Sequence, residues 1–368
     1  MKKIKTFIQK ETVLCIAALC AAVTMLAVPP SAAYIEYIDL RVLCLLFCLM
    51  AVVALFKSVG VFEWLTCALL RRTKSGHALG VTLVLLPFFT SMLVTNDVAL
   101  LVFVPFTLLL LTQLRCTRAA VGILVLQTVA ANLGSMATPV GNPQNLFLYA
   151  FYELDALAFF SVTLPLTAFS LVLLTAASLP LLPRTLSHAP SGDAKIASMR
   201  LFTFYCALFA LCLLTVFRIV PYPLTTLVIA AFLLLFDRKR FAEVDFLLLL
   251  TFVCFFIVSG NLGRMDAVRT FLQSLLERST LLTAVGASQI ISNVPAAVLL
   301  APFTAQWKEL LAGVNIGGLG TPIASLASLI TLKLYLRWKD AQVWNFLGVF
   351  TIANIAALVL LLLFSTVM

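Results

Sequence analysis

Thr95-Asn96-Asp97-Val98-Ala99-Leu100, closing on Pro105-Phe106, decides the fold of this 368-residue chain. The pattern returns 197 residues later as Ser292-Asn293-Val294-Pro295-Ala296-Ala297, closing on Pro302-Phe303. Long apolar runs flank both copies. In hydrocarbon an unpaired polar group is costly, so an asparagine set twice at the same point of such surroundings needs a reason. A second pair keeps the same order. Asn132-Leu133-Gly134-Ser135-Met136-Ala137-Thr138-Pro139-Val140 matches Asn315-Ile316-Gly317-Gly318-Leu319-Gly320-Thr321-Pro322-Ile323 at an offset of 183. The second half is therefore 14 residues shorter between its motifs. Paired hydrophobic segments interrupted by Gly and Pro in corresponding halves point to a transporter site.

The composition sets the class. Hydrophobic residues make up 62% of the chain, charged residues 11%, and the mean hydropathy is +1.11. Soluble domains carry about 25% charge. The apolar runs are too continuous for alternating barrel strands, so the fold class is an all-α polytopic membrane protein. The net charge of +10 resides mainly in short loops, where it sets topology rather than recruiting nucleic acid. Nine cysteines lie scattered without CxxC spacing, and His77 and His188 are the only histidines. No metal centre, organic cofactor or nucleophile–base pair is expected, and no enzymatic activity.

Four regions follow. Residues 1–36 hold Lys2, Lys3, Lys5 and Lys10 and a first apolar helix; a signal peptide ending near Ser31-Ala32-Ala33 is the alternative. Residues 37–179 form a first inverted repeat, 180–199 a cytoplasmic linker, and 200–368 a second repeat with its preceding helices. Continuous spans are expected at 38–56, 157–179, 201–216, 224–235, 246–259 and 346–364. The apolar stretch 64–70 is too short to cross. Arms 79–93 and 98–111 read as a re-entrant hairpin with Asn96 at its tip; 273–291 and 296–303 read as its counterpart around Asn293. Broken helices are expected at 119–151 and 311–332, interrupted by Gly134, Pro139, Gly141 and Pro143 and by Gly317, Gly320 and Pro322. A continuous helix does not tolerate such clusters; a broken helix facing a cavity does. Val244-Asp245-Phe246 echoes Ile38-Asp39-Leu40, which makes Asp39 and Asp245 helix-start residues. With both hairpins left uncrossed, about nine spans remain, the N-terminus cytoplasmic and the C-terminus outside. Of 25 Lys and Arg, 19 then face the cytoplasm; the outer six are Arg41, Arg218, Arg264, Arg269, Arg278 and Lys308.

Asn96 and Asn293 offer oxygens at the tips, and Thr138 and Thr321 add hydroxyls at the facing breaks. With freed helix-end carbonyls these groups suit a hard monovalent cation such as Na⁺, while half-helix N-termini suit an anion. The bland alternative is that the asparagines only cap helices. Asp97 is an acid inside the membrane, functional by default, and its counterpart is Val294. It could balance a cation or carry a proton; a capping acid facing trapped water is the alternative. Asn142, Gln144 and Asn145 could orient a carboxylate or oxyanion, or equally tie up irregular backbone. The second half has smaller polar groups there, Ser325 and Ser328.

Together, Thr95-Asn96-Asp97, Thr138 to Asn145, Ser292-Asn293-Val294-Pro295 and Gly320-Thr321-Pro322 resemble the ion transporter superfamily. That group includes divalent anion–Na⁺ symporters, citrate transporters, arsenite permeases and NhaD-type antiporters. The resemblance implies a homodimer with an elevator motion. It places Na⁺ and carboxylate roles on Thr95, Asn96, Ser292 and Asn293. Asn142, Gln144, Asn145, Gly318 and Ser325 complete the expected substrate-facing set. Asp97 and Val294 stand where carboxylate transporters have Thr, and an Asn-Asp tip is more similar to the arsenite permease and antiporter branch. The expected function is Na⁺- or H⁺-coupled movement of a small anion across the inner or plasma membrane. The alternatives are Na⁺/H⁺ antiport or arsenite-type efflux, and a non-transporting membrane scaffold. The topology is testable with thiol reagents. Ser187→Cys is expected to label only from the cytoplasm and Gln306→Cys only from outside; labelling of both from one side contradicts opposite orientation of the halves.

Overall fold

The computed structural model describes residues 11–70, 75–183 and 195–367, all helical or irregular. The N-terminal lysines, Arg71, Arg72, Lys74 and the linker's 184–194 lie outside the described residues. The helices used below are α1 (Thr12–Ala27), α2 (Leu40–Ser58), α3 (Val61–Leu70), α4 (Gly76–Thr90), α5 (Asn96–Gln113), α6 (Ala120–Ser135), α7 (Pro143–Phe151) and α8 (Ala156–Ser178). After the linker come α9 (Met199–Val216), α10 (Tyr222–Phe236), α11 (Phe246–Gly263), α12 (Asp266–Arg278), α13 (Thr280–Ile291), α14 (Asn293–Leu300), α15 (Trp307–Ile316), α16 (Leu326–Leu336) and α17 (Val343–Ser365).

Seven helical segments among the described residues are long and apolar enough to cross a membrane. An α-helix rises about 1.5 Å per residue, so ~20 residues cover a hydrocarbon core of ~30 Å. Five of the seven contain α2, α8, α9, α11 and α17, where continuous spans were expected. A sixth holds α6, the first part of a broken helix. The seventh is α5. The sequence made this an arm of a non-crossing hairpin, yet its 18 residues suffice for a crossing by length and composition.

Local chemistry sets the helix starts. Asp39 Oδ1 accepts from Val42 N at 3.0 Å to cap α2, and Asp245 Oδ1 accepts from Leu248 N at 2.9 Å to cap α11. Both acids are the helix-start residues their shared pattern indicated. The second hairpin begins later than expected. Residues 273–278 belong to α12, which carries Asp266, Arg269, Glu277 and Arg278, and Ser279 starts a new helix by accepting from Leu282 N. Apolar Leu272, Leu275 and Leu276 made α12 look continuous with the arm. The missing 14 residues fall mainly in the return arm: α14 has 8 residues where α5 has 18.

The two halves pack alike. Helix α4 lies along α6, and α13 along α15. Each return arm packs against the post-break helix of the other half, α5 on α16 and α14 on α7. Outside this centre, α2 packs on α9 and α10. The first apolar segment is a helix seated on α11, with Leu14, Ala17 and Ala21 around Cys254. Asn261 Nδ2 on α11 donates to Thr24 Oγ1 at 3.1 Å and to Tyr34 Oη at 2.9 Å, fastening it.

Two expected breakers serve the helices instead, while Gly317 stands where α15 stops. Gly134 lies inside the last turn of α6, and Pro143 is the first residue of α7, where its missing N–H costs nothing. A Cβ on Gly134 would run into the Phe88 carbonyl, so glycine is what lets α6 touch α4. Gly134→Ala is expected to lower stability by about 3 kcal/mol, because backbone cannot step aside. Gly286→Ala, which meets nothing within 4 Å, is expected to raise it by up to ~1 kcal/mol. Thermal unfolding of the two purified variants checks the contrast.

Candidate functional site

Each hairpin tip is sewn to the break of its own half by the same two bonds. Asn96 N donates to Gly141 O at 3.2 Å, and Asn293 N donates to Ala324 O at 2.9 Å. Thr138 Oγ1 donates to Met92 O, and Thr321 Oγ1 donates to Gln289 O at 3.2 Å. Every pair is related by the offsets of 197 and 183 read from the sequence.

A second set of bonds crosses between halves. Ser325 Oγ donates to Asn132 Oδ1 at 2.9 Å, and Asn142 Nδ2 donates to Asn315 Oδ1 at 3.1 Å. These too are equivalent: each break residue reaches the asparagine that ends the opposite half's helix. Asn132 Oδ1 also accepts from Asn96 Nδ2 at 2.9 Å. Asn315 Nδ2 donates to Asn145 Oδ1 at 2.6 Å, and Asn142 Nδ2 also reaches Ser135 Oγ at 3.0 Å. The asparagines of the cluster, Ser135 and Ser325 are buried; Thr95, Asp97, Thr138 and Gln289 are half-buried, and Thr321 is exposed.

This cluster gathers eight helix ends. The N-termini of α5, α7, α14 and α16 meet there, as do the C-termini of α4, α6, α13 and α15. N-termini present positive partial charge and C-termini negative, roughly half an elementary charge each. Asn142 caps α7 by accepting from Asn145 N, and Ser325 caps α16 by accepting from Ala327 N. The tip helices α5 and α14 have no side-chain cap from Thr95 or Ser292. Ser292 instead holds a left-handed backbone, φ 74°, and gives its hydroxyl to Ala324 O. Gly320, at φ 105°, supplies a backbone conformation within the second break that favours glycine.

At the tips and breaks, Asp97, Asn293, Gln144 and Ser328 keep side-chain polar atoms without a partner. Asp97 Oδ1 is out of solvent without a hydrogen-bond partner. The side chains of Asn293 and Gln144, 4% and 2% exposed, make no hydrogen bond. By contrast Asn145 is fully engaged, donating to Met136 O and Thr138 O. Thr138 and Thr321 spend their hydroxyl protons on backbone carbonyls, which leaves them oxygen lone pairs only. The expected set is thus gathered in one place, with unequal freedom. The sequence reading overlooked Asn132, Asn315, Ser135 and Gln289 as site residues. Gln289 bridges the second tip and break, donating to Gly317 O and Leu319 O and accepting from Thr321 N. The first two were detectable, being polar residues at the same register of both motifs.

With this geometry in hand, similarity to known proteins becomes informative. Residues 6–313 match the family described as citrate transporter. The chain belongs to that family. It is 33% identical over 323 residues to an uncharacterized transporter of Methanocaldococcus jannaschii, covering 88% of each chain. It is 30% identical over 288 residues to inner membrane protein YbiR of Escherichia coli, covering 77% of this chain and 76% of that one. A silicon efflux transporter of Oryza sativa subsp. japonica is 37% identical over 128 residues, 35% of this chain and 26% of that protein. The protein is a multi-pass membrane protein of the ion transporter superfamily.

The crossed bonds make Asn142 structurally expensive to lose. Asn142→Ala removes a helix cap and leaves buried acceptors bare, for an expected cost of about 2 kcal/mol or more. Asn142→Ser, which copies Ser325, keeps a capping oxygen and is expected to cost about half as much. Melting temperatures of the two variants in detergent check the order.

Proposed function

We propose that the chain is a secondary active transporter that couples Na⁺ or H⁺ to the movement of a small anion. The observation that carries this is the meeting of four helix N-termini with four helix C-termini in one buried amide cluster. The first favour a carboxylate or oxyanion, the second a hard cation. The cation position draws on Asn96, Asn293, Asp97, the oxygens of Thr138 and Thr321, and helix-end carbonyls. The anion position draws on Asn293, Gln144 and the Val294 N–H at the start of α14, since Asn293 N and Ala296 N already donate to Ala324 O and Ser292 O.

The matched bonds at the two tips and breaks support an inverted repeat, with the first hairpin opening from the cytoplasm and the second from outside. On that topology the N-terminus is cytoplasmic and the C-terminus outside. Crossed bonds between halves favour a central unit that moves whole, as an elevator does, against α2, α9, α10 and α11.

Asp97 favours a second reading, Na⁺/H⁺ antiport without an organic substrate. Its carboxylate is the one open acid of the cluster among the described residues, and competition of Na⁺ with a proton for it would couple their fluxes. Proteoliposomes separate the two readings. Under anion symport Asp97→Asn is expected to cut Na⁺-dependent uptake of citrate about tenfold or more, the value of a charge-assisted contact of ~1.4 kcal/mol. Residual uptake survives. Under antiport, wild-type vesicles acidify or alkalinise with a Na⁺ gradient alone, and Asp97→Asn abolishes that proton flux. Unchanged uptake and unchanged proton flux in the variant remove Asp97 from coupling altogether.

A further inference from the structure

A cleft of about 580 Å³ opens at the end of α5 that the sequence places in the cytoplasm. Helix α5 runs 18 residues from Asn96 toward it, so the cleft stands roughly 27 Å from the first tip. Its walls differ in chemistry. Arg115, Thr117 and Arg118 line one side, in the turn between α5 and α6; Leu181, Leu182 and Pro183 line the other, where the chain leaves α8. Neither arginine has an ion pair or hydrogen bond among the described residues, and the lining they form holds no acid. A basic loop on this side follows from topology alone. The placement of Arg115 does not. Arg115 N donates to Thr112 O at 3.1 Å and Cys116 N to Leu111 O at 2.9 Å, which closes α5 in the manner that usually needs glycine. Arg115 holds that left-handed backbone at φ 56°. A long side chain kept at such a position points to a use for it. The apolar wall is fixed as firmly. Leu182 is 1% exposed, and a Cβ on Gly122 of α6 would lie 2.9 Å from Leu181 Cδ2. His77 Nδ1 donates to Leu179 O and ties this turn to α4.

We propose that this cleft binds a phosphate group, and that its apolar wall favours the headgroup of an anionic phospholipid over a soluble phosphate ester. Guanidinium groups are the preferred partners of phosphate oxygens, and basic pockets between helices at the cytoplasmic boundary suit anionic headgroups. Arg115 and Arg118 donate to the phosphate oxygens, and Thr117 offers its hydroxyl. Leu181, Leu182 and Pro183 receive the glycerol backbone and the first methylenes. Leu109 on α5 and Leu179 beyond α8, both exposed, continue the apolar surface for acyl chains. A headgroup held there joins the base of the first hairpin to the end of α8. None of these residues belongs to the tips or the breaks, so the cleft stands whether or not the chain carries an anion.

Purified full-length protein is compared in detergent micelles doped with phosphatidylglycerol or, at the same mole fraction, phosphatidylcholine. A third arm adds sn-glycerol 3-phosphate to the phosphatidylcholine micelles. Melting temperature is read across a concentration series, and native mass spectrometry counts retained lipid. Phosphatidylglycerol is expected to raise the wild-type melting temperature above that in phosphatidylcholine. Arg115→Gly and Arg118→Gln are each expected to weaken the apparent affinity for phosphatidylglycerol about fivefold, the worth of one basic residue at an anionic surface. In phosphatidylcholine Arg115→Gly is expected to melt no lower than the wild type, because glycine suits φ 56°. That separates loss of the contact from loss of the fold. Arg200→Gln removes an exposed basic residue at the start of α9, outside the cleft and expected on the same side, and is expected to change the affinity by about twofold or less. A response to sn-glycerol 3-phosphate alone, weakened in Arg115→Gly and Arg118→Gln, supports the phosphate site and overturns the lipid preference. No response to either phosphate compound overturns the site. So does a response that Arg115→Gly and Arg118→Gln leave intact, or one that Arg200→Gln weakens as much as they do.

Discussion

Backbone that leaves a helix inside an apolar bundle must find new partners, because no bulk water is there to supply them. Residues 136–142 and 317–325 leave their helices in this way. The organisation of the centre follows from satisfying them. Asn145 takes the carbonyls of Met136 and Thr138, and Gln289 takes those of Gly317 and Leu319. Gly141 O and Ala324 O receive the tip amides of Asn96 and Asn293. A break without its tip, or a tip without its break, would leave these groups bare at about 1–3 kcal/mol each. The hairpins and the broken helices are therefore one construction.

The crossed bonds extend that dependence across the molecule. Asn132 and Asn315 end their own helices but bond Ser325 and Asn142 of the other half. The return arms follow the same exchange, α5 against α16 and α14 against α7. Neither half can shift alone without opening buried amides. A rigid central unit is the cheaper response to any force on either hairpin, and the periphery is built differently. Helices α9 and α10 turn many large apolar side chains outward, among them Phe204, Leu227, Leu235 and Phe236. Such a surface suits lipid.

Much of this was legible because it occurs twice. Single asparagines in apolar helices carry little information, yet Asn96 with Asn293, and Thr138 with Thr321, declared the tips and the breaks by their shared offsets. Asp39 and Asp245 were legible for the same reason. What repetition does not encode stayed hidden. The exchange of partners between halves depends on three-dimensional proximity of residues about 170–190 apart, which no local pattern reports. The start of α13 was masked by leucines that continue across Ser279. The reach of α5 was underestimated because its polar first turn suggested a tip, whereas length is decided at its other end, near Gln113.

The repeat is also informative where it fails. At five matched positions the first half carries the larger polar group: Asp97, Ser135, Asn142, Gln144 and Asn145 face Val294, Gly318, Ser325, Ala327 and Ser328. Side chains cross in both directions, Asn142 to Asn315 and Ser325 to Asn132, and the larger Asn145 adds an acceptor for Asn315 Nδ2. The second half, with smaller residues, retains an amide that nothing engages. A symmetric ancestor of such a site would hold two equal, self-satisfied tips, with no preference for where a ligand sits. Enlarging one set of polar groups and shrinking the other moves the hydrogen bonds to one side and the vacancy in bonding to the other. Asp97 stays on the side whose tip amide is bonded, and Asn293 on the side whose tip amide is not. Two copies of one motif thus come to differ in their hydrogen bonding through substitutions at matched positions.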